Sequence, residues 1–155
     1  MIRYIGIDPG ASGGIAFIEV TNPENGDLPF AMKQPETDRD IYHIISQLRW
    51  CGEKEVKCFA MLEKVHAMPK QGVSSTFTFG QNYGKLQMAL IASGIPFEYV
   101  TPQKWQKALQ CLTGGQKNVS KSKAQELFPH LKITHATADA LLLAEYCRRI
   151  RQEMH

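Results

Sequence analysis

No two of the four cysteines are spaced as CxxC, and Cys51, Cys58, Cys111 and Cys147 make no zinc-ribbon pattern. That removes the usual structural-zinc and dithiol-redox signatures. Long apolar runs are missing as well. None reaches membrane-spanning length, and Arg3 followed at once by a strand does not resemble a signal peptide. Four thiols without a secretory segment fit a reducing cytoplasm better than a disulfide framework. Internal repeats, low-complexity tracts and linker-like boundaries are absent too, so residues 1–155 read as one domain with room for a core. Nor is there a strong excess of one charge: 18 Lys and Arg against 15 Asp and Glu leave +3. Its distribution says more. Lysines 104, 107, 117, 121, 123 and 132 face one acid, Glu126, over that stretch. This is either a surface for a polyanion or a solvated lysine face.

What is present begins with Ile2, Tyr4, Ile5 and Ile7, an apolar β-favouring run that predicts a buried strand. It stops at Asp8, and Pro9-Gly10 mark a turn before a second strand, Ile15 to Val20. A carboxylate at the mouth of a buried strand is costly unless partnered. Two duties fit Asp8: an Asx-turn to Gly10, or a cation. The run Cys58 to Leu62 repeats the pattern and ends on Glu63.

Between these, Thr21 to Pro29 reads as a loop and Phe30 to Lys33 as a short third strand. Asp38 predicts a cap for a helix carrying Ile41, Ile44, Ile45 and Leu48 and ending near Cys51-Gly52. Ser74 or Ser75 opens a long helix closing at Ser93-Gly94. Pro96 to Val100 gives a fifth strand, and Thr101-Pro102 open a short helix with Trp105 and Leu109. Thr113 to Lys123 reads as a polar loop leading into a short helix that stops at Phe128-Pro129. The last helix runs from Thr134 or Thr137 to Arg151. This order predicts one mixed sheet with helices on both faces.

The last helix holds Asp139 among alanines and leucines, and His135 shares its face if the helix starts at Thr134. Each acid has a bland reading: Asp8 a turn former, Glu63 a solvated strand end, Asp139 a partner of the helix dipole. Gathered together, they would repel one another and raise their pKa values unless a cation intervened. Mg²⁺ suits a few carboxylate oxygens plus phosphate oxygens. Two such ions roughly 3.5–4 Å apart serve phosphodiester cleavage.

Taken in order, IGIDPGASGGIAF, the strand ending MLEKV, FTFGQNYGKL, VTPQKWQKAL and ATADALLLAEY resemble the RuvC-type Holliday junction resolvases of the RNase H-like nuclease superfamily. The resemblance covers most of the chain, and the short form suits a phage or mobile-element member, acting in host cytoplasm. It implies an RNase H-like α/β fold, a five-stranded mixed β-sheet flanked by α-helices. It also implies Mg²⁺-dependent cleavage of four-way DNA junctions by a homodimer, with Mn²⁺ able to substitute. The family acids fall on Asp8, Glu63 and Asp139. The ligand that members carry three residues before the last acid falls on Ala136, so His135 is the candidate fourth ligand or water-positioning residue; its alternative is a capping or exposed histidine. One family lysine falls on Gln106, flanked by Lys104 and Lys107; another corresponds to Lys121, beside Lys123. The aromatic that some members place just after the second acid has no counterpart, because His66 and Met68 stand there.

On that reading, Lys64, Lys70 and Lys85 hold phosphates near Glu63. Lys104, Lys107, Lys117, Lys121 and Lys123 steer and position the DNA backbone. Phe77 and Phe79 either stack on bases or, at helical spacing, pack in the core. Trp105 is a packing residue. Gly80 and Gly84 are spaced for a dimer or sheet contact. GIDPGASGG also resembles the first phosphate loop of actin-like ATPases, but 155 residues are too few for their two domains. The remaining alternatives are a broader nuclease of branched DNA or RNA–DNA hybrids and a non-catalytic junction-binding protein.

Overall fold

The computed structural model describes residues 1–22 and 26–154. Five strands form one mixed sheet in the order β3-β2-β1-β6-β7. β1 (Ile2–Ile7), β2 (Gly14–Val20) and β3 (Asp27–Lys33) meander antiparallel. β6 (Lys57–Glu63) and β7 (Phe97–Val100) then join parallel to β1 after helical crossovers. β1 is central, and its register with β6 sets Ile7 opposite Leu62. Asp8 and Glu63, one residue further along each strand, are therefore side by side at the same end of the sheet.

Alternation in β1 supplies two cores. Tyr4 joins Ala16, Ile18 and Met61 under α3 (Pro102–Ala108), α4 (Lys117–Leu127) and α5 (His135–Glu153). Ile5 and Ile7 join Ile15, Ala60 and Leu62 on the other face, under α1 (Asp38–Gln47) and α2 (Val73–Ala92). Side chains alternating between two covered faces, with Tyr4 to Ile7 all buried, are what such apolar runs require.

α5 lies against β1, β2, β3 and β6, and two glycines let it come that close. A Cβ on Gly6 would stand 2.1 Å from the Ala140 carbonyl oxygen, and one on Gly14 2.3 Å from that of Ala136. The alanines of α5 thus meet glycines of the sheet, and this seating carries Asp139 to the end of β1.

Several boundaries differ from the sequence expectation. β3 starts at Asp27, so the expected loop from Thr21 is shorter, and its residues 23–25 lie outside those described. α1 stops at Gln47, and Gly52 turns a small hairpin of β4 (Trp50–Cys51) and β5 (Lys54–Glu55) with φ +59°. A glycine after an amphipathic run signals a helix end or a tight turn alike; here the two-residue connection chose the turn. Thr37, not Asp38, caps α1, accepting from the Asp40 N–H at 3.1 Å. α2 opens at Val73 rather than at a serine, and α4 already begins at Lys117. Phe77 is 67 % exposed, so it does not pack in the core. Gly80 and Gly84 make no sheet contact, for a Cβ added at either would meet no other element within 4 Å. Among the described residues no helix is long and apolar enough to cross a membrane. The four cysteines are free, Cys51 exposed and the others buried.

Candidate active site

The site is built on the turn after β1. The Asp8 N–H donates to the Gly14 carbonyl at 3.0 Å, and the Gly10 N–H donates to Asp8 Oδ1 at 2.9 Å. Asp8 therefore forms the Asx-turn, which fixes its carboxylate rather than consuming it: one oxygen is held by the backbone. Asn82 of α2 clamps this loop by donating Nδ2–H to the Pro9 carbonyl at 3.0 Å. Beside it, Glu63 ends β6 and is not a solvated strand end. The Trp105 indole donates to Glu63 Oε2 at 2.7 Å, and the Lys64 N–H donates to the Val100 carbonyl at 2.7 Å, tying the tips of β6 and β7 together.

Asp139 comes from the second turn of α5. Thr134 caps that helix, its N–H donating to Thr137 Oγ1 at 3.0 Å, so the helix begins at His135 and not at Thr137. His135 and Asp139 consequently share a face, and the exposed imidazole favours the Asp139 carboxylate. Oδ1 of Asp139 is buried without a hydrogen-bond partner. A buried, unpartnered carboxylate oxygen is expensive in water-poor surroundings.

The three acids share one electrostatic neighbourhood. Burial pushes Asp8 up to about 6, with the Asp139 charge adding to the rise and Gly10 and Lys117 opposing it. Burial likewise pushes Glu63 up to about 7, reinforced by Asp8 and Asp139 and opposed by the Trp105 bond. Asp139 is raised by burial and moderated by Ser120, Lys117 and His135. The side chains as they stand gather without closing. Among the described residues no group of three or more His, Cys, Asp or Glu is arranged to hold a metal ion. The four-residue ligand set Asp8, Glu63, His135 and Asp139 is thus not assembled. The physical reason is electrostatic: like charges keep their distance.

No family model matches the chain, and no curated protein matches it. Solved structures do. Thermus thermophilus RuvC superposes with a TM-score of 0.65 at 17% identity, covering 98% of this chain and 96% of that one. T. thermophilus RuvC in complex with a Holliday junction substrate gives 0.64 at 16%, covering 99% and 96%. The fold is that of RuvC.

On this RuvC-like frame the lysines separate into distinct environments. Lys117, at the start of α4, is the lysine whose charge reaches both Asp8 and Asp139. Lys121, the expected counterpart, lies one turn further on and is half-buried. Lys123 pairs with Glu126 at 3.1 Å, and Lys85 pairs with Asp38 at 2.6 Å, so neither is a free phosphate ligand in this structure. Lys104 and Lys107 are exposed on α3, and Lys64 and Lys70 on the connection from β6 to α2. Lys64, His66, Met68, Phe79 and Pro102 line a cleft of about 540 Å³ against Glu63's strand end. Arg148 and Arg149 both bind the buried Glu145, and Arg151 reaches Glu98.

Sequence reasoning missed Lys117's position, Ser120, and the indole N–H of Trp105. Only the last had a legible signal: a buried tryptophan needs a partner for its N–H.

The raised carboxylates carry a consequence for stability. Both folded-state values lie above those of the unfolded chain, so the native state binds more protons and stability falls as pH rises through about 4 to 7. In EDTA the melting temperature is expected to drop between pH 5.5 and 8. Asp8→Asn keeps an acceptor for Gly10 without the charge; it should flatten that drop and stabilise the protein at pH 8 by on the order of 2 kcal/mol. Thermal melts of both proteins across that range check this, and parallel curves would refute it.

Proposed function

We propose that this chain is a structure-selective, metal-dependent endodeoxyribonuclease that nicks four-way DNA junctions as a homodimer. The observation that carries the reading is the gathering of Asp8, Glu63 and Asp139 at one end of a RuvC-like sheet, with one Asp139 oxygen buried and unpartnered. Three carboxylates raised by burial, with Asp8 and Glu63 raised further by acidic neighbours, are a poor arrangement for water alone and a good one for a hard divalent cation. Asp8, Glu63 and Asp139 would hold Mg²⁺ or Mn²⁺, with His135 as fourth ligand or water-positioning residue. The bound ion supplies Lewis-acid polarisation of the scissile phosphate and lowers the pKa of the attacking water.

The chain's own groups do the rest. Gly10 and Trp105 hold two carboxylates in fixed rotamers, and Lys117 places a positive charge where a phosphate would approach. Lys64, Lys70, Lys104, Lys107 and Lys121 supply backbone contacts, which carry affinity and salt dependence but no sequence information. The homodimer reading draws on α2, whose Val73, Phe77, Met88 and Ile91 are exposed along one side with Gly80 and Gly84 open between them. An apolar helical stripe with small residues at its centre suits a second copy of the same stripe.

The test is a panel of labelled substrates (four-way junction, duplex, flap and RNA–DNA hybrid) incubated with Mg²⁺, Mn²⁺ or EDTA. Paired symmetric nicks in the junction, dependent on the ion, are expected. Preferred cutting of the hybrid would replace the junction by a broader nuclease reading, and junction binding without any cutting would leave a binding protein.

A further inference from the structure

Trp105 is wholly buried, and its one polar atom is spent on a carboxylate of the candidate site. We propose that Trp105 is a positioning residue: its indole N–H holds Glu63 Oε2 from within the core, leaving Oε1 as the oxygen that Glu63 offers to a divalent ion. The inference rests on the metal-dependent reading above and assigns a role that the three acids alone do not reveal.

Both ends of the bond are anchored. α3 starts at Pro102 immediately after β7, and the Trp105 N–H of the backbone donates to the Thr101 carbonyl at 3.3 Å. The Lys64–Val100 bond locks the tip of β6 to the tip of β7, so strand end and helix start move as one. The ring packs in the same apolar cluster as Ala138, Leu141 and Leu142 of α5. One rigid side chain therefore braces the elements that carry Glu63 and Asp139. Indole is a donor only, unable to withdraw or reverse its hydrogen bond, and a bond to an ionised acceptor is stronger than one to a carbonyl. A buried, neutral donor fixes a carboxylate without competing with a cation for its charge, as a lysine or arginine in the same place would.

The competing view is that Glu63 merely satisfies a core tryptophan. The two differ in what they predict for ion binding. Outer partners that orient metal ligands typically contribute 10–100-fold in affinity, whereas a packing role leaves affinity alone. The experiment uses the full chain with two variants: Trp105→Phe, and an isosteric replacement of Trp105 by benzothienylalanine, in which sulfur takes the place of the N–H. Mn²⁺ binding without DNA is measured by calorimetry. Both variants are expected to bind Mn²⁺ roughly 10–100-fold more weakly than the parent. The isostere should keep the parent's circular dichroism, and junction nicking by both should recover as Mn²⁺ is raised. A folded isostere with the parent's Mn²⁺ affinity overturns the positioning role while leaving the metal reading intact. A parent chain that binds no Mn²⁺, with Asp8→Asn indistinguishable from it, overturns the metal reading and this inference together.

Discussion

Asp8→Asn and Glu63→Gln are each expected to slow nicking of a four-way junction by about 10³-fold or more, with junction affinity in EDTA unchanged or slightly tighter. The size follows from the charge removed. An ion held by these carboxylates contributes several kcal/mol to the transition state, and each 1.4 kcal/mol is about tenfold in rate. On the proposed reading affinity is spared, because it would come from lysine contacts to phosphates, and losing a negative charge beside the DNA would reduce repulsion. These substitutions also keep the local bonds. Asn retains an oxygen for the Gly10 N–H, and Gln retains one for the Trp105 indole. A fall in rate with an unshifted far-ultraviolet spectrum then reports lost charge and not lost structure. Either variant cutting at the parent rate would remove that residue from the site. Binding lost along with cleavage would mean that the acids build the DNA surface instead.

The parts of this site that could be read from sequence are those carried by local pattern. The runs ending at Asp8 and Glu63 became adjacent strands because apolar β-favouring segments with a turn signal behind them have few alternatives. The mixed sheet was legible too, while the parallel pairing of β1 with β6 came only with the structure. The Thr101-Pro102 signal placed the start of α3 correctly to the residue, while the helix stops at Ala108, one residue short of the expected Leu109. What remained hidden depends on contacts between distant segments. Trp105 and Glu63 are 42 positions apart, and nothing in VTPQKWQKAL says which acid its ring will meet. α4 starts at Lys117 without a side-chain cap on Gln116, so the stretch read as loop and its lysines could not be assigned to a face. Phe77 has core spacing, yet α2 turns it to solvent, because helical period identifies a face without saying whether a partner covers it. Gly80 and Gly84 have the spacing of a close contact, and in this structure that contact is open.

The same limit applies to Gly6, which within IRYIGI is merely a weak point in a strand. Its meaning appears only once α5 is laid across it. An added methyl at Gly6 would fall 2.1 Å from the Ala140 carbonyl oxygen and 2.3 Å from the Ala144 amide nitrogen. Those are backbone atoms inside a 19-residue helix, so no rotamer change relieves the overlap and helix or strand must shift. Overpacking of this kind costs about 3 kcal/mol or more, a large part of the 5–15 kcal/mol or so that holds a domain together. Gly6→Ala is therefore expected to lower the urea midpoint sharply. Any protein that still folds should cleave junctions about 10²-fold more slowly, because a displacement near 1 Å at a reacting group has that effect. The double loss comes from one cause: α5 is at once the largest cover of the sheet and the carrier of Asp139. Denaturant melts and single-turnover cleavage on the same preparation separate the two readouts. A Gly6→Ala protein of parental stability would show that α5 rides further from β1 than these contacts allow. Parental cleavage in a destabilised protein would show that Asp139 does not need its place beside Asp8.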